Sequence, residues 1–479
     1  MSTPVSGRRV ARRQRRGVDV LTALGAGLVV LAALLLVAAG SVENEPEPVE
    51  QAASVPVDEV ATACAAFPGA GSAEALTLAA PLPETAGDGT VVAGPVGGRT
   101  EPVDGARRGV LQPLEMAAGG TAGDGWALGV AAEGAAAVGR ATFAVDQARD
   151  AAAVGVGECL APRARWWFTG AGAGLDHAST LVLANLDPGR AVLDVEVHGP
   201  DGLVDSIGTR GITMEPGEVQ TIPLVEVAPQ TDELAVHVEA SRGRVVASLA
   251  DSFATQPAAA PGRDWIPVQS DAAQLLRLSP LPARADRRTL VVANPTDREA
   301  LADVEVSTGS GAFVPTDVPQ LRVPPGTVVT ADLGPAVGKE ASAVLLTSPV
   351  PLTATVRSTS AADVTYTAAA PLLDGPAAAV LADDTVPTLQ LTAGDDGGTA
   401  KVTAYSADGE EADTADLEVE PGTTLTWEPE GRAAYLVVAP GRGRLFGGVS
   451  LAGAAGVSQV PLRPLPVALR QPVVVPVVR

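Results

Sequence analysis

Three histidines, two cysteines and a few short acidic runs are the residues of this 479-residue chain with the means to do chemistry. His177 stands in "GLDHAST" with Asp176 and Ser179, the residue types of an acyl-transfer relay. That relay needs its three members brought from separate parts of a fold, and neighbours this close in sequence seldom meet its geometry. His198 and His237 fall in alternating strand patterns and could share one sandwich, but a zinc site takes three or four ligands. "GVSLA" (448–452) lacks the second glycine of a nucleophile elbow and reads as strand. Neither Lys339 nor Lys401 has a serine three positions before it, which removes a Ser-x-x-Lys nucleophile. The acidic runs "LADDTV" (381–386), "AGDDGG" (393–398) and "SADGEEADTAD" (406–416) offer oxygen ligands of the kind calcium takes. None forms a DxDxDG loop, and they read as solvated turns. The sequence assigns no catalytic residue, no cofactor site and no metal ligand, and a non-enzyme is expected.

Two further residue types are rare enough to weigh. Cys64 and Cys159, 95 positions apart, are an even pair downstream of an export signal and predict one disulfide. Closing a loop of that size stabilises a fold by roughly 4–5 kcal/mol at best. Only 3% of residues are aromatic. Exposed Trp166 and Trp167 would be candidates for stacking on a sugar face. The plainer reading is that "RWWF" and "DWIPV", which holds Trp265, fill cores or junctions.

These residues sit on an exported chain. Six arginines (8, 9, 12, 13, 15 and 16) precede Val20–Ala39, a run of twenty uncharged residues. As a helix that run spans roughly 30 Å, the hydrocarbon thickness of a bilayer. Arginine on one flank and "SVENEPEPVE" on the other set the N-terminus in the cytoplasm. The run exceeds a usual signal-peptide core, so a retained anchor is expected over cleavage at "AAGS" (38–41). The expected order is a cytoplasmic segment (1–19), a transmembrane anchor (20–40) and an acidic, proline-containing linker (41–60). Setting aside the six arginines and Asp19 leaves 27 basic and 55 acidic residues, a net charge near −28 beyond the anchor. Such a surface repels nucleic acid, so the membrane and an envelope protein or glycan are the partners expected.

The remainder repeats. "TLVLANLDPGRAVLDVEV" (180–197) returns as "TLVVANPTDREALADVEV" (289–306), and a third copy opens at "TLQLTAGDDGG" (388–398). Pro-Gly turns follow at 216–217, 325–326 and 421–422. Each copy then closes on a hairpin-like pattern: "LAVHVEASRGRVVASL" (234–249), "SAVLLTSPVPLTATV" (342–356) and "AYLVVAPGRGRLFGGVSL" (434–451). A degenerate first copy is suggested by "EALTLAAP" (74–81) and "WALGVAAEGAAAVGRATF" (126–143). Period-2 alternation with turns every eight to twelve residues predicts strands, and a period near 100 residues suits one sandwich per copy. The fold class expected is all-β: a single N-terminal transmembrane helix, then tandem Ig-like β-sandwich modules at 61–160, 161–272, 273–374 and 375–479. In this reading "NLDPGR" is the turn of an opening hairpin. Pairing of the copies into a closed array stays open.

The Arg-rich start, the anchor, "CAAFPG", "CLAPRARWWFTG" and "TLVLANLDPGRAVLDVEVHGPDG" together resemble the uncharacterised DUF5719 family of high-GC Gram-positive bacteria. The resemblance implies location and fold and carries no activity. Three functions compete: a non-catalytic, membrane-anchored envelope scaffold or binding protein, a cell-surface glycan-binding protein, and an exported hydrolase. The first is the one expected.

Overall fold

The computed structural model describes residues 54–470 apart from 69–72, 83–86, 117–125, 148–153, 255–260, 270, 338–339, 361–362 and 455, together with positions 24, 25, 28 and 31. The segments expected at 1–19 and 41–53, and all but four positions of the expected anchor, lie outside these residues. Among the described residues no helix is long and apolar enough to cross a membrane. The chain divides into a unit of the terminal residues, 1–55 and 470–479, and the unit Pro56–Leu469. The latter holds the sheets that matter here, and all of them are antiparallel.

One strand order occurs four times. In the stretch that holds His177, one sheet runs Arg165–Ala171, Leu234–Arg242, Ala191–Gly199 and Gly202–Leu203. The facing sheet runs Val219–Pro223, His177–Ala184, Val246–Phe253 and Gly262–Ile266. We call these sheet one and sheet two of the second block. The first block has the same two sheets: Glu59–Ala65, Ala127–Gly134, Gly89–Pro95, Glu101–Pro102, and Gln112–Met116, Ala73–Ala79, Arg140–Gln147, Val154–Glu158. In the third block a single strand, Ser342–Ser360, passes through both sheets, and in the fourth Thr385–Tyr405 and Tyr435–Gly453 do so. Alternation makes these sandwiches: Ala191, Leu193, Val195 and Val197 are buried while the residues between them are half-exposed.

The structure corrects the expected hairpins. His177–Ala184 and Ala191–Gly199 belong to different sheets, so "NLDPGR" is an arch across the sandwich and no hairpin turn. Asn185, fully buried, builds that arch. Its Nδ2 donates to the carbonyls of Gly189, Met214 and Glu215, and its Oδ1 accepts from the Asp187 amide. Asn294 repeats the pattern with Arg298, Val323 and Thr296. The closing "hairpins" are crossings of the same kind. Leu234–Arg242 lies in sheet one and Val246–Phe253 in sheet two.

The four blocks close on themselves. Sheet one of each packs on sheet two of the next. Ala65 and Phe67 meet Val182, Ala250 and Trp265, and Ala235 meets Val291, Ala293 and Val328. Ala343 and Ala370 meet Phe446. The fourth block then returns to the first, Tyr435 and Ala378 sharing one core with Leu78, Leu111 and Phe143. A head-to-tail contact that closes gives a ring, here within one chain.

At every joint a turn in sheet two of one block meets the edge of the block before it. A Cβ on Gly97 would stand 2.2 Å from the Gly217 carbonyl oxygen. His198 Nδ1 lies 3.0 Å from the Gly326 carbonyl oxygen, and the Ser307 hydroxyl donates to that of Gly422 at 2.8 Å. A Cβ on Gly409 would stand 2.5 Å from the Gly109 carbonyl oxygen. The four turn glycines, 109, 217, 326 and 422, have φ of 80°, 75°, 72° and 66°. Pro-Gly at three of them therefore serves the turn and the joint at once.

This joint is testable. Gly97→Ala adds a side chain at φ 77° and drives it into Gly217, whereas Gly208→Ala, at φ 87°, meets open space. Gly208→Ala is expected to cost about 1 kcal/mol and Gly97→Ala at least about 2 kcal/mol more, read by denaturant unfolding. Equal costs would mean that the joint is loose.

Candidate functional site

The last strands of the four blocks, Val154–Glu158, Gly262–Ile266, Asp363–Ala368 and Gly456–Pro461, lie beside one another where the blocks converge. Their third residues, Val156, Asp264, Thr365 and Ser458, meet in one buried network. Asp264 Oδ2 accepts from the Thr365 hydroxyl at 2.6 Å. Its Oδ1 accepts from the Ser458 hydroxyl at 3.1 Å and from the Trp265 amide at 2.9 Å. The Ser458 hydroxyl oxygen in turn accepts from the Val156 amide at 3.0 Å. Burial holds the Asp264 carboxyl well above the usual carboxylate range, and its proximity to Asp363 adds to this. Two more buried carboxyls stand nearby. Asp363, which accepts from the Val457 amide at 2.7 Å, is pushed by burial up to about 7. Asp146 is pushed by burial up to about 6, with Arg263 pulling the other way.

A second buried cluster ties the second block to the third. The hydroxyls of Ser179 and Tyr366 donate to the two oxygens of Asp251, and His177 Nε2 lies 3.2 Å from Oδ1. His177 Nδ1 lies 2.6 Å from the Asp232 carbonyl, which only accepts, so that nitrogen carries a proton. Burial opposes the imidazolium, but Asp251 outweighs it and the His177 pKa ends above its ordinary value. The ring lies against Gly172, where a Cβ would stand 2.2 Å from its Cγ. Beside it, Arg357 donates to both oxygens of Glu233, at 3.1 and 2.6 Å, with its guanidinium 4.5 Å above the Phe253 ring.

His177 and Ser179 thus come together through Asp251, a residue that "GLDHAST" does not contain. The order is wrong for a relay. The carboxylate sits between serine and histidine, and the serine hydroxyl donates to Asp251 and not to an imidazole nitrogen. His177, Ser179, Asp251 and Tyr366 are all at most 3% exposed. The cluster does the work of a joint.

The other expected residues divide. Cys64 and Cys159 are bonded to each other and buried. Trp166 is fully buried, its Nε1 donating to the Val245 carbonyl at 3.0 Å. Trp167 is buried too, stacked on His237 at 4.2 Å with His198 at 5.7 Å. Neither ring has an open face, which removes both as sugar-stacking residues. His198 and His237 are indeed brought together, but around Trp167. Among the described residues no group of three or more His, Cys, Asp or Glu is arranged to hold a metal. A cleft of about 490 Å³ opens between the first and fourth blocks. Leu76, Leu111, Val145 and Leu381 line it, with Glu74 and Asp383. Burial and the neighbouring Asp383 and Glu115 raise the Glu74 pKa. Sequence reasoning missed Asp251, Asp264 and Asp363, because a single carboxylate in a strand looks like a solvated position until its partners are known.

The raised carboxyls fix a sign. Between about pH 4 and 7 the unfolded chain releases protons that the folded chain still holds on Asp146 and Asp363, so stability falls as pH rises through this window. Asp363→Asn is expected to match the parent near pH 4 and to exceed its Tm at pH 8, by calorimetry across the range. A parallel profile would show that Asp363 is not held neutral. Asp251→Ala strands three polar partners and is expected to cost about 3–5 kcal/mol in urea unfolding, and a loss under 1 kcal/mol would contradict the cluster's role.

Comparison with known proteins adds little chemistry. No curated protein matches the chain. Among solved structures, a Streptomyces avermitilis α-L-rhamnosidase complexed with L-rhamnose aligns at 11% identity and a TM-score of 0.13, covering 86% of this chain and 55% of that one. The full-length RrgB pilus protein of Streptococcus pneumoniae aligns at 8% and 0.11, covering 62% and 61%. The chain thus spans little more than half the length of either, and scores this low carry no argument. A family of unknown function matches over residues 116–430, from the middle of the first block into the fourth. With two thirds of its length inside that match, this chain belongs to the DUF5719 family.

Proposed function

We propose that this protein is a non-catalytic, membrane-tethered extracytoplasmic protein that serves as a scaffold or binding platform in the cell envelope. The observation that carries the reading is where the reactive side chains are used. His177, Ser179, Asp251, Tyr366 and Asp264 are spent on joints between blocks, each at most 2–3% exposed. Such joints suit a rigid body that presents its surface. The Cys64–Cys159 disulfide supports an oxidising compartment outside the cytoplasm. The arginine-flanked apolar run supports the tether.

The hydrolase alternative attaches to one place, the cleft holding Glu74 and Asp383, since paired carboxylates are what glycoside cleavage uses. Against it, Asp383 is exposed and ion-paired with Arg432 at 3.2 Å.

The test is fractionation of cells making the full chain, followed by protease treatment of intact cells. The expected result is a full-length protein in the membrane fraction whose bulk is degraded from outside. A product found wholly in the medium and shorter by about forty residues would overturn the tether. Activity on envelope polysaccharide that disappears in Glu74→Gln would overturn the non-catalytic reading.

A further inference from the structure

The four blocks differ at one edge. After the third strand of sheet one the chain turns back along its outer side. In the first three blocks this return is cut short: Glu101–Pro102, then Gly202–Leu203 with Ile212–Met214, then Gly311–Phe313 with Gln320–Val323. Short, interrupted pieces are how sheets usually protect an edge from other chains. The fourth block does otherwise. Its return is Glu411–Val419, one nine-residue strand with a single bulge near its start, where Ala404 and Tyr405 face Asp413 and Glu411; it pairs with Gly398–Tyr405 and is last in its sheet. Among the described residues no strand pairs with its outer side.

Apart from the Thr414 amide, which donates to Asp413 Oδ1 at 2.8 Å, such an edge carries a row of backbone donors and acceptors open to another strand. Its charge selects which one. Thr414, Asp416 and Glu418 alternate on the exposed side of the strand, and Glu410, Glu411 and Glu420 stand exposed at its ends. Lys401, opposite Asp416, is the nearby cation on the neighbouring strand. A second copy of this chain would bring carboxylates against carboxylates, and like charges directly opposite are destabilising. A strand with lysine or arginine at every second position would pair with Asp416 and Glu418 in register.

We infer that the Glu411–Val419 edge takes up an extended, lysine- or arginine-bearing segment of a partner protein as an added strand. Backbone hydrogen bonds hold the segment, and the alternating carboxylates select its charge. The inference rests on this edge alone and stands whether or not the chain is tethered.

The probe is a fluorescent peptide of alternating lysine and threonine, nine residues long, titrated into the full chain in detergent and read by anisotropy. Saturable binding is expected, weakened at least tenfold by D416K/E418K and unchanged by the distant exposed E226K. Methylating the peptide's backbone nitrogens at the lysines in one version and at the threonines in another should abolish binding in one version only. The two mutated positions are exposed, and an unchanged circular dichroism spectrum confirms folding. Three results would overturn the inference. One is no saturable binding. Another is equal binding by both methylated peptides, which would mean charge attraction without strand addition. The third is dimerisation of the chain itself, lost in D416K/E418K, which would give the edge a different occupant.

Discussion

The contact between the fourth block and the first is the interaction on which the rest depends. Here the last sandwich, some 300 residues downstream, lays Tyr435 and its neighbours on the sheet that holds Leu78 and Phe143. The Tyr435 hydroxyl donates to the Gly109 carbonyl at 2.5 Å, and the Leu111 amide donates to the Ala407 carbonyl at 2.9 Å. Without it, the same sandwiches would form an open row, with an apolar face left wet on the first block and another on the fourth. With it, both faces of every block are used, and the final strands are forced together. Stability then belongs to the assembly, because each block supplies one side of two joints.

Convergence explains the buried charge. Four strands meeting edge to edge leave buried polar positions, and several of them are answered by a neighbouring block. Asp264 is answered by Thr365 and Ser458, from the third and fourth blocks. Asp251 is answered by Tyr366, from the third. Glu158 of the first block is ion-paired with Arg463 of the fourth at 2.9 Å, and Arg463 also donates to the Val268 carbonyl of the second. Because these groups cross block boundaries, they select one arrangement of otherwise similar sandwiches. A purely apolar junction would tolerate a rotation that this one does not.

Strand character, the repeated phrases and the turn glycines were all legible in the sequence, because each has a local cause: period-2 alternation, or Pro and Gly at a tight turn. The cysteine pairing was legible from compartment and count. What failed was pairing between strands. "NLDPGR" has the composition of a hairpin turn, and only the fully buried Asn185 marks it as an arch between sheets. One sequence cannot show that an asparagine is buried. The pairing of His177 with Asp251 was hidden for the same reason. Seventy-two residues separate Ser179 from Asp251, and the joint between the second and third blocks decides their surroundings. Trp166 and Trp167 illustrate the converse. Their rarity suggested display, whereas an aromatic-poor chain uses its large rings where the most apolar area is removed from water.

Closure of the four blocks is the central claim, and small-angle scattering from the Pro56–Leu469 unit tests it most directly. A closed, compact body of this length has a radius of gyration of about 22 Å. Four separate sandwiches in a row would give about 40 Å, since each is itself about 13 Å. A value near 22 Å, with a distance distribution that falls to zero without a tail, is the predicted result. A value near 40 Å would show a flexible or extended row and contradict the joint between the fourth block and the first.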